Sequence, residues 1–464
     1  MILSIEKMIY GGDGLARLPI DPEQADDRSR GKAVFIPFVL AGEKVEASLT
    51  ENKPGFARAR ASEIIKPSQH RVQPACPYFL RCGGCHYQQA SYEHQIEIKK
   101  EILRENLRRI AKLELTCEIQ AHPSPPWNYR NRSRLQVRTR PEFGAGYFKF
   151  GSHDLLPVEE CPISSPLINQ AITALWQGGR AGRVPDGILD FEFFANADDT
   201  KLLVELSCTP EAKRAAVRAW AEEFCTAMPQ ITGAVAFRQN PDRMPEQLIS
   251  IGARELIYQT RHSSFHVTAG SFFQTNRFLA DELIEIVAAG RSGEVAVDLY
   301  AGVGLFSTAL ACNFRHVISV ESSQTAAGDL AYNLPTNGEA VRSTAEQYLH
   351  AASGASRAAA GDWPAKSHGE LEPGRAGKGK LPQLYLPTPD LIVVDPPRSG
   401  LGDRVARSLA NSNAPRVTYV SCDPATLARD LMPLQAAGYR VEEVHLVDLF
   451  PQTYHIESVV QLVK

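Results

Sequence analysis

The stretch VAVDLYAGVGLFSTAL, residues 295–310, decides the fold of this chain. Its apolar first half predicts a buried strand, and a turn that contains Gly302 and Gly304 then opens a helical pattern. Glycines between a strand and a helix let a ligand approach the backbone closely. The stretch therefore predicts an α/β domain that binds a small molecule at the carboxyl end of its strand.

Three acidic residues near the ends of neighbouring strands indicate what this small molecule is. They are Asp298, Glu321 and Asp395. An acidic strand end roughly 20 residues beyond the first strand is suited to hydrogen bonds with ribose hydroxyls. The missing third glycine and the early Asp298 argue against a dinucleotide. S-adenosylmethionine carries a ribose and a cationic sulfonium, so it fits acidic strand ends better than a pyrophosphate does.

The pattern along the chain changes three times. Residues 1–66 are short strands between glycine and proline turns, which predicts a small β-barrel. A helix is predicted over 90–112, and strands mixed with helices up to 268 indicate an α+β arrangement. From about 278 onward, strands nearly continuous in apolar residues alternate with helices, which is typical of a parallel sheet covered on both faces. Residues 351–382 are poor in large apolar side chains and predict a disordered insertion.

The composition excludes several classes of protein. The 464 residues are 44% hydrophobic and 22% charged with a formal charge of −3, so we expect an ordinary globular protein without a global basic signal for nucleic acid. The N-terminus lacks the pattern of a signal peptide, and no stretch approaches 18 apolar residues, so we expect no membrane span. We expect a cytoplasmic protein, a monomer with no obligate protein partner, whose nine cysteines are reduced thiols or metal ligands.

The stretch VTYVSCDPATLARD, residues 417–430, predicts a strand that ends in a cysteine at the start of a helix. Asp423 can cap this helix, and Pro424 suits its first turn. Cys422 then lies beside the positive end of the helix, where the pKa of a thiol falls. The stretch alone leaves two interpretations open, a nucleophilic thiolate and an ordinary small buried cysteine.

A second group of cysteines has the spacing of a metal site. The segment CPYFLRCGGC contains Cys76, Cys82 and Cys85, and EECPIS adds Cys161. The two glycines of the Cys-x-x-Cys clip let two sulfurs turn toward one ion or cluster. Four thiolates suit zinc or an iron–sulfur cluster, and ordinary buried cysteines are a further alternative. The Cys-x3-Cys-x2-Cys spacing of a radical S-adenosylmethionine enzyme is absent.

Four motifs in one order resemble the RNA uracil-C5 methyltransferases across the whole C-terminal domain. They are DLYAGVGLFS, DPPRSG, SCDPATLARD and PQTYHIES, and SFFQTN at 271–276 resembles a further segment of that family. The resemblance implies that Cys422 is the nucleophile and Glu457 the base. It implies that S-adenosylmethionine contacts Gln274, Tyr300, Glu321 and Asp395, together with Gly302 of the glycine turn. The cysteine spacing resembles the [4Fe–4S] site of some members.

The chemistry of uracil requires these residue types. C5 of uracil is too weak a nucleophile to attack a sulfonium methyl group directly. A thiolate that adds to C6 creates carbanion character at C5, and a base must afterwards remove the C5 proton so that the cysteine can leave. Arg398 stands where amino-group methyltransferases commonly have an aromatic residue, which disfavours that class. A cytosine-C5 enzyme usually has proline before its cysteine, whereas Ser421 stands here.

These observations predict three domains: an OB-like barrel over 1–66 that resembles the RNA-binding TRAM module, a cluster-bearing middle domain over 67–268, and a Rossmann-like class I methyltransferase domain over 269–464. The combination of barrel and cluster most resembles enzymes that act on 23S ribosomal RNA, with transfer RNA as the second substrate. A non-catalytic RNA-binding iron–sulfur protein is the rival from another class. The segment NYRNRSRLQVRTR contains Arg130, Arg132, Arg134, Arg138 and Arg140. Alternation would place Arg132, Arg134, Arg138 and Arg140 on one face of a strand, either as a phosphate surface or as ordinary solvated charge. Thr344 stands where relatives often place an acidic or amide residue near the adenine.

Overall fold

The computed structural model describes residues 1–18, 31–240, 243–355 and 388–464. The insertion predicted over 351–382 lies outside the described residues from 356 onward, and residues 351–355 form the end of a helix. In the described ranges, no helix is long and apolar enough to cross a membrane.

The N-terminal segment forms a curled sheet of alternating buried and exposed residues. Its strands are β1 (Ile2–Ser4), β2 (Lys7–Met8), β3 (Asp13–Arg17), β4 (Ala33–Pro37), β5 (Lys44–Asn52) and β6 (Phe56–Lys66), in the order β1-β5-β6-β4-β3-β2. Its core is small and aliphatic, with Val34, Ile36 and Val45 fully buried. The sheet occupies the residues for which the sequence predicts a barrel.

The middle of the chain contains a mixed sheet with helices against it. Helix α1 (Tyr92–Arg109) and strand β7 (Ile119–His122) precede it. The remaining elements are β8 (Arg132–Arg138), β9 (Gly144–Phe148), β10 (Leu155–Pro157), α2 (Pro166–Arg180), β11 (Ile188–Ala195), β12 (Leu202–Cys208), α3 (Arg214–Ala227), β13 (Ile231–Asn240) and β14 (Arg243–Gly252). The strand order is β10-β9-β8-β11-β12-β13-β14. This agrees with the predicted α+β pattern.

The C-terminal part alternates strands and helices. Its elements are β15 (Glu255–Gln259), β16 (Ser264–Thr268), α4 (Ala280–Ala288), β17 (Gly293–Leu299), α5 (Leu305–Leu310), β18 (Phe314–Glu321), α6 (Gln324–Asn333), β19 (Gly338–Arg342), α7 (Ala345–Ala355), β20 (Leu391–Val394), α8 (Gly402–Ala410), β21 (Arg416–Ser421), α9 (Pro424–Ala436), β22 (Arg440–Val447) and β23 (Glu457–Val463). The main sheet has the order β19-β18-β17-β20-β21-β23-β22-β7.

The direction of the last strand differs from the predicted parallel sheet. Strands β19, β18, β17, β20 and β21 are parallel, but β23 runs antiparallel to both β21 and β22. Only nine residues separate β22 from β23, and a connection this short joins antiparallel strands. The reversal brings the start of β23 to the edge of the sheet where β21 ends.

Residues that precede the middle sheet contribute to the eight-stranded sheet of the C-terminal part and to the helices that cover it. Strand β7 pairs in parallel with β22, and α1 packs against α9. The apolar face of α1, with Ile98 and Leu103, is buried in the same core as Leu427 of α9. Lys99 of α1 forms a fully buried ion pair of 2.6 Å with Asp448, just after β22. The helix predicted over 90–112 therefore packs with the helices of the C-terminal part.

Candidate active site

Cys422 lies between β21 and α9, as the sequence predicts. The Asp423 side chain caps α9 by accepting hydrogen bonds from the backbone N–H groups of Ala425 at 3.0 Å and Thr426 at 2.9 Å. Pro424 is the first residue of the helix. The capped turn leaves Cys422 half-buried at the carboxyl edge of the sheet.

The register of the last strand places Glu457 beside Cys422. Ser421 pairs with Ser458 across β21 and β23, so the next antiparallel positions outward are Cys422 and Glu457. Glu457 is buried, with 5% of its surface exposed. Asp395, just beyond β20, is the third group here, and its charge acts on both Cys422 and Glu457. The structure thus brings the predicted nucleophile and the predicted base together.

The predicted fall in the pKa of the cysteine is wrong. Burial raises the pKa of Cys422 to about 12, and the carboxyl groups of Glu457 and Asp395 raise it further, whereas Arg398 lowers it. Burial also raises the pKa of Glu457 well above its usual value, and it raises the pKa of Asp395 to about 7. Desolvation beside two carboxyl groups outweighs the effect of the helix N-terminus. In the free protein, burial therefore favours the protonated form of each of these groups.

Helix α9 also fixes the loop after Asp395. The Thr426 hydroxyl donates to the Arg398 carbonyl at 3.2 Å, and Arg429 donates to the Ser399 carbonyl at 2.8 Å. The Leu401 amide donates to the Asp430 carboxylate at 2.6 Å. Sequence reasoning assigned no role to the second half of SCDPATLARD. The polar residues at helical spacing in that motif were the available signal.

Gly400 in this loop tolerates no side chain. Its φ is +73°, and a Cβ atom would lie 2.4 Å from the Asp430 carboxylate and 2.5 Å from Arg429. The backbone therefore approaches α9 as closely as only glycine permits.

The predicted cofactor residues lie around the glycine turn. The Glu321 carboxylate accepts hydrogen bonds from the amides of Gly302 at 2.9 Å and Ser323 at 2.6 Å. Tyr300 has a φ of +64°, an uncommon conformation for a bulky residue and one that clusters at ligand sites. The hydrogen bonds of Glu321 fix the glycine turn at the carboxyl ends of β17 and β18.

Asp298 lies inside the cofactor region. It is fully buried and accepts a hydrogen bond of 2.5 Å from the Ser307 hydroxyl. Its Oδ1 atom is buried and has no hydrogen-bond partner among the described residues. Burial raises the pKa of Asp298 to about 7. The side chain can therefore switch between donor and acceptor near neutral pH.

Two other predicted cofactor positions are less directly connected to this turn. Gln274 is buried in its own segment, but within the described residues no hydrogen bond joins it to Tyr300, Glu321 or Asp395. The Thr344 hydroxyl accepts from the Gln347 amide at 3.2 Å and so caps α7. Thr344 thus serves the helix in this structure.

The four cysteines Cys76, Cys82, Cys85 and Cys161 line one cavity of about 210 Å³. In the part of the chain that the structure describes, no group of three or more His, Cys, Asp or Glu side chains is arranged to hold a metal ion, so the predicted metal site is not shown. Arg130 and Gln88 also line the cavity, and Nε of Arg130 and Nε2 of Gln88 are buried without hydrogen-bond partners among the described residues. Four free thiols and two unpaired donors fit an anionic group with thiolate ligands.

Of the arginines predicted on one face, Arg134, Arg138 and Arg140 are exposed, whereas Arg132 is not. Arg132 pairs with Glu192 and, at 3.0 Å, with Glu205, and its side chain is only 10% exposed. Arg134 pairs with Glu192 at 2.8 Å, and the buried Nε of Arg130 lies at the cysteine cavity. The strand alternates as predicted, but neighbouring strands β11 and β12 supply carboxylates opposite these arginines.

A basic groove that sequence reasoning missed lies between the N-terminal sheet and the segments around Arg81 and Phe150. It encloses about 1010 Å³ and is lined by cationic and aromatic side chains: Arg58, Arg60, Arg81, Lys149, Phe35, Phe38 and Phe150. Cations beside aromatic rings suit a single-stranded nucleic acid. The alternating arginines of FARARASEIIK were the available signal.

Two family models match the chain. The tRNA (uracil-5-)-methyltransferase model matches residues 91–359 and 383–464, and the TRAM domain model matches residues 3–62. Uncharacterised RNA methyltransferases are similar over nearly the whole chain. One from Caldanaerobacter subterraneus subsp. tengcongensis is 30% identical and covers 98% of this chain and 96% of the relative. One from Halalkalibacterium halodurans is 31% identical, with coverage of 93% and 91%.

A solved structure shares the fold along the whole chain. It is the Pyrococcus abyssi tRNA (uracil-54, C5)-methyltransferase in complex with S-adenosyl-L-homocysteine, at a TM-score of 0.71 with full coverage of both chains and 22% identity. This likeness confirms the predicted class I methyltransferase fold with its N-terminal domain. With its TRAM domain and its family match, the chain belongs to the tRNA (uracil-5-)-methyltransferase family, whose members are S-adenosylmethionine-dependent RNA (uracil-C5)-methyltransferases.

Proposed function

We propose that this protein methylates C5 of one uridine in 23S ribosomal RNA through a covalent bond between Cys422 and C6 of the uracil. The observation that carries the proposal is the opposed position of Cys422, directly after β21, and Glu457, the first residue of the antiparallel strand β23. A nucleophile and a base on two neighbouring strands can act on C6 and C5, which are bonded to each other. Such a base must first be flipped out of folded RNA.

Each group has one step in this reaction. The Cys422 thiol releases its proton to solvent, its thiolate adds to C6, and the electrons of the C5–C6 double bond pass to C5 and O4. S-adenosylmethionine, when bound, supplies the methyl group that C5 takes. Glu457, after releasing its own proton to solvent, then accepts the C5 proton, the C5–C6 double bond forms again, and the sulfur–C6 bond breaks. In this scheme Gln274, Tyr300, Gly302, Glu321 and Asp395 hold the cofactor.

We propose that Cys76, Cys82, Cys85 and Cys161 hold a [4Fe–4S] cluster that stabilises the segment around them. The proposal is supported by four thiols around one cavity and by the unpaired donors of Arg130 and Gln88. Such a cluster with four thiolates carries net negative charge, which the Arg130 guanidinium would balance and to which the Gln88 amide could donate a hydrogen bond. Zinc is the second candidate for the same thiols.

Ribosomal RNA is proposed as the substrate because a barrel domain and a cysteine site occur together in this chain. Transfer RNA is the second candidate, favoured by the description of the matching family model. Mapping 5-methyluridine in RNA from a deletion strain separates the two, because the modification should be lost from 23S RNA and kept in transfer RNA. We further propose that the protein acts as a cytoplasmic monomer, in keeping with nine unpaired thiols.

A denaturing gel with substrate RNA and methyl-labelled S-adenosylmethionine tests the covalent mechanism. Cys422→Ala should bind RNA and form no adduct. Glu457→Gln should add and methylate but stall before elimination, so a labelled adduct accumulates, because loss of a general base commonly slows a step about 10²–10⁴-fold. An adduct with Cys422→Ala would identify a different nucleophile. A folded, RNA-binding Glu457→Gln without adduct would place the base elsewhere.

A further inference from the structure

The segment between β22 and β23, residues 448–456, delivers Glu457 to the active site, and its centre is strained. Gln452 has a φ of +68°, although its side chain is not glycine, and only 3% of its surface is exposed. A conformation of this kind persists only where surrounding contacts determine it. Glu457 begins the strand five residues later.

A reciprocal pair of hydrogen bonds from α1 holds Gln452. The side-chain amide of Gln95 donates to Oε1 of Gln452 at 3.0 Å, and the backbone amide of Gln452 donates to Oε1 of Gln95 at 2.9 Å. Gln95 is itself 1% exposed and also donates to the Ala90 carbonyl at 3.0 Å. The Gln95 side chain therefore forms hydrogen bonds with both the backbone amide and the side-chain carbonyl of Gln452.

The cysteine segment holds the same residue from its other side. The backbone amides of His86 and Tyr87 donate to the Gln452 carbonyl at 2.8 and 3.0 Å. These two residues directly follow Cys85, which lines the cysteine cavity. His455, in the loop itself, lines that cavity as well. The loop that delivers Glu457 is thus bonded to the cysteine segment through its backbone.

We propose that Gln95 and Gln452 are positioning residues for Glu457, and that the backbone of the cysteine segment sets the same loop. The inference rests on the proposed role of Glu457 in elimination. Cys422 lies on another element, between β21 and α9, so its addition to C6 does not depend directly on this loop. We call the hydrogen bonds that hold Gln452 the clamp. Loss of the clamp should therefore slow elimination more than addition. A merely structural clamp would slow both steps equally.

The first test separates the two steps in single turnovers. Gln95→Leu removes both hydrogen bonds to Gln452 at similar volume, and Glu97→Gln on the exposed face of α1 is the matched control. We expect Gln95→Leu to form the adduct within about threefold of the wild-type rate and to resolve it at least about tenfold more slowly, within the range that a general base contributes. A labelled adduct should then accumulate. Equal slowing of both steps, or of neither, would overturn the proposal.

The second test uses the strained backbone directly. Gln452→Gly and Gln452→Ala remove the same side-chain amide, but only glycine adopts a positive φ without strain. Glycine also keeps the backbone bonds to Gln95, His86 and Tyr87. We expect Gln452→Gly to resolve the adduct severalfold faster than Gln452→Ala. If Gln452→Ala resolves the adduct as fast as Gln452→Gly, the backbone conformation of residue 452 does not position Glu457.

Hydrogen exchange of the free protein provides a readout without RNA. Gln95→Leu should speed exchange in the peptide that contains residues 450–457 and at the amides of His86 and Tyr87, with the peptide of α9 unchanged. Unchanged exchange at residues 450–457 would overturn the positioning role. If wild-type protein shows neither adduct nor methylation, the proposed function fails while this measurement still decides about the clamp.

Discussion

The hydroxyl of Tyr10, in the N-terminal domain, donates a hydrogen bond of 3.3 Å to the carbonyl of Cys422, 412 positions further along the chain. The ring of Tyr10 also packs edge-on against Tyr454, with 5.6 Å between the ring centroids. One residue therefore contacts both the turn that carries the nucleophile and the loop that delivers Glu457. The TRAM domain therefore contacts the candidate active site directly.

Tyr10→Phe removes this hydrogen bond and keeps the ring. Because the turn at Cys422 loses an anchor, we expect adduct formation at saturating RNA to slow by about threefold to tenfold, the worth of one hydrogen bond. Elimination should keep its rate, since the contact with Tyr454 remains. Arg60→Ala in the basic groove is the control and should weaken RNA affinity without slowing saturated turnover. Unchanged adduct formation in Tyr10→Phe would contradict the anchoring role.

Asp298→Asn should stabilise the free protein at high pH only. Burial raises the pKa of Asp298 to about 7, above its unfolded value, so the stabilising contribution of the protonated side chain is complete below pH ~4 and is lost as pH rises through 7. We expect the variant to gain roughly 2–4 kcal/mol in the free energy of unfolding at pH 8 and little at pH 4. Urea unfolding at several pH values measures this. Asp403→Asn, at an exposed carboxylate, is the control and should show no such pH dependence.

The rate of adduct formation should increase with pH from 6 to 9, because the raised pKa of Cys422 must be overcome before the thiolate can attack. Arg398 lowers the pKa of both Cys422 and Glu457. Arg398→Met should therefore slow adduct formation by about tenfold, equivalent to about one pKa unit, at every pH between 6 and 9, because this whole range lies below the pKa of Cys422. Arg398→Lys should retain most of the effect. Equal slowing in Arg398→Met and Arg398→Lys would indicate that the charge of Arg398 is not the cause.

Protein purified without oxygen should contain about four iron atoms per chain and absorb light at about 400 nm, as thiolate-bound clusters do. Cys161→Ser should lose this iron, whereas Cys312→Ser, at an exposed cysteine outside the cavity, should keep it. Chelation of the iron should lower the melting temperature. Stoichiometric zinc without iron under these conditions would favour the second candidate for the site.

Local signals predicted the parts of this site that lie within single motifs. The cap of Asp423, the first-turn Pro424 and the glycine turn were predictable because capping and close backbone approach depend on a few adjacent residues. The antiparallel β23 was not predictable, although it alone places Glu457 opposite Cys422. Nor was the pKa of Cys422, because two of the groups that raise it come from other strands.

Long-range partners also decided what the arginines do. Arg132 and Arg134 alternate along β8 as the sequence predicts, but the carboxylates opposite them belong to β11 and β12. The pairing of β8 with β11, and of β11 with β12, depends on the tertiary structure and cannot be inferred from a local sequence pattern. The same limit applies to the clamp on Gln452, whose partners lie in α1 and the cysteine segment.

The catalytic sheet is assembled from two separated parts of the chain, with β7 paired to β22. On the ribosome, β7 emerges roughly 320 residues before its partner, a delay of roughly 15–60 s at typical elongation rates. The apolar face of α1 must wait for the same length of synthesis before α9 covers it. Nascent chains should thus hold an uncovered hydrophobic helix that attracts chaperones. Because β23 follows β22 in the chain, a nascent chain that stalls between them lacks both β23 and Glu457.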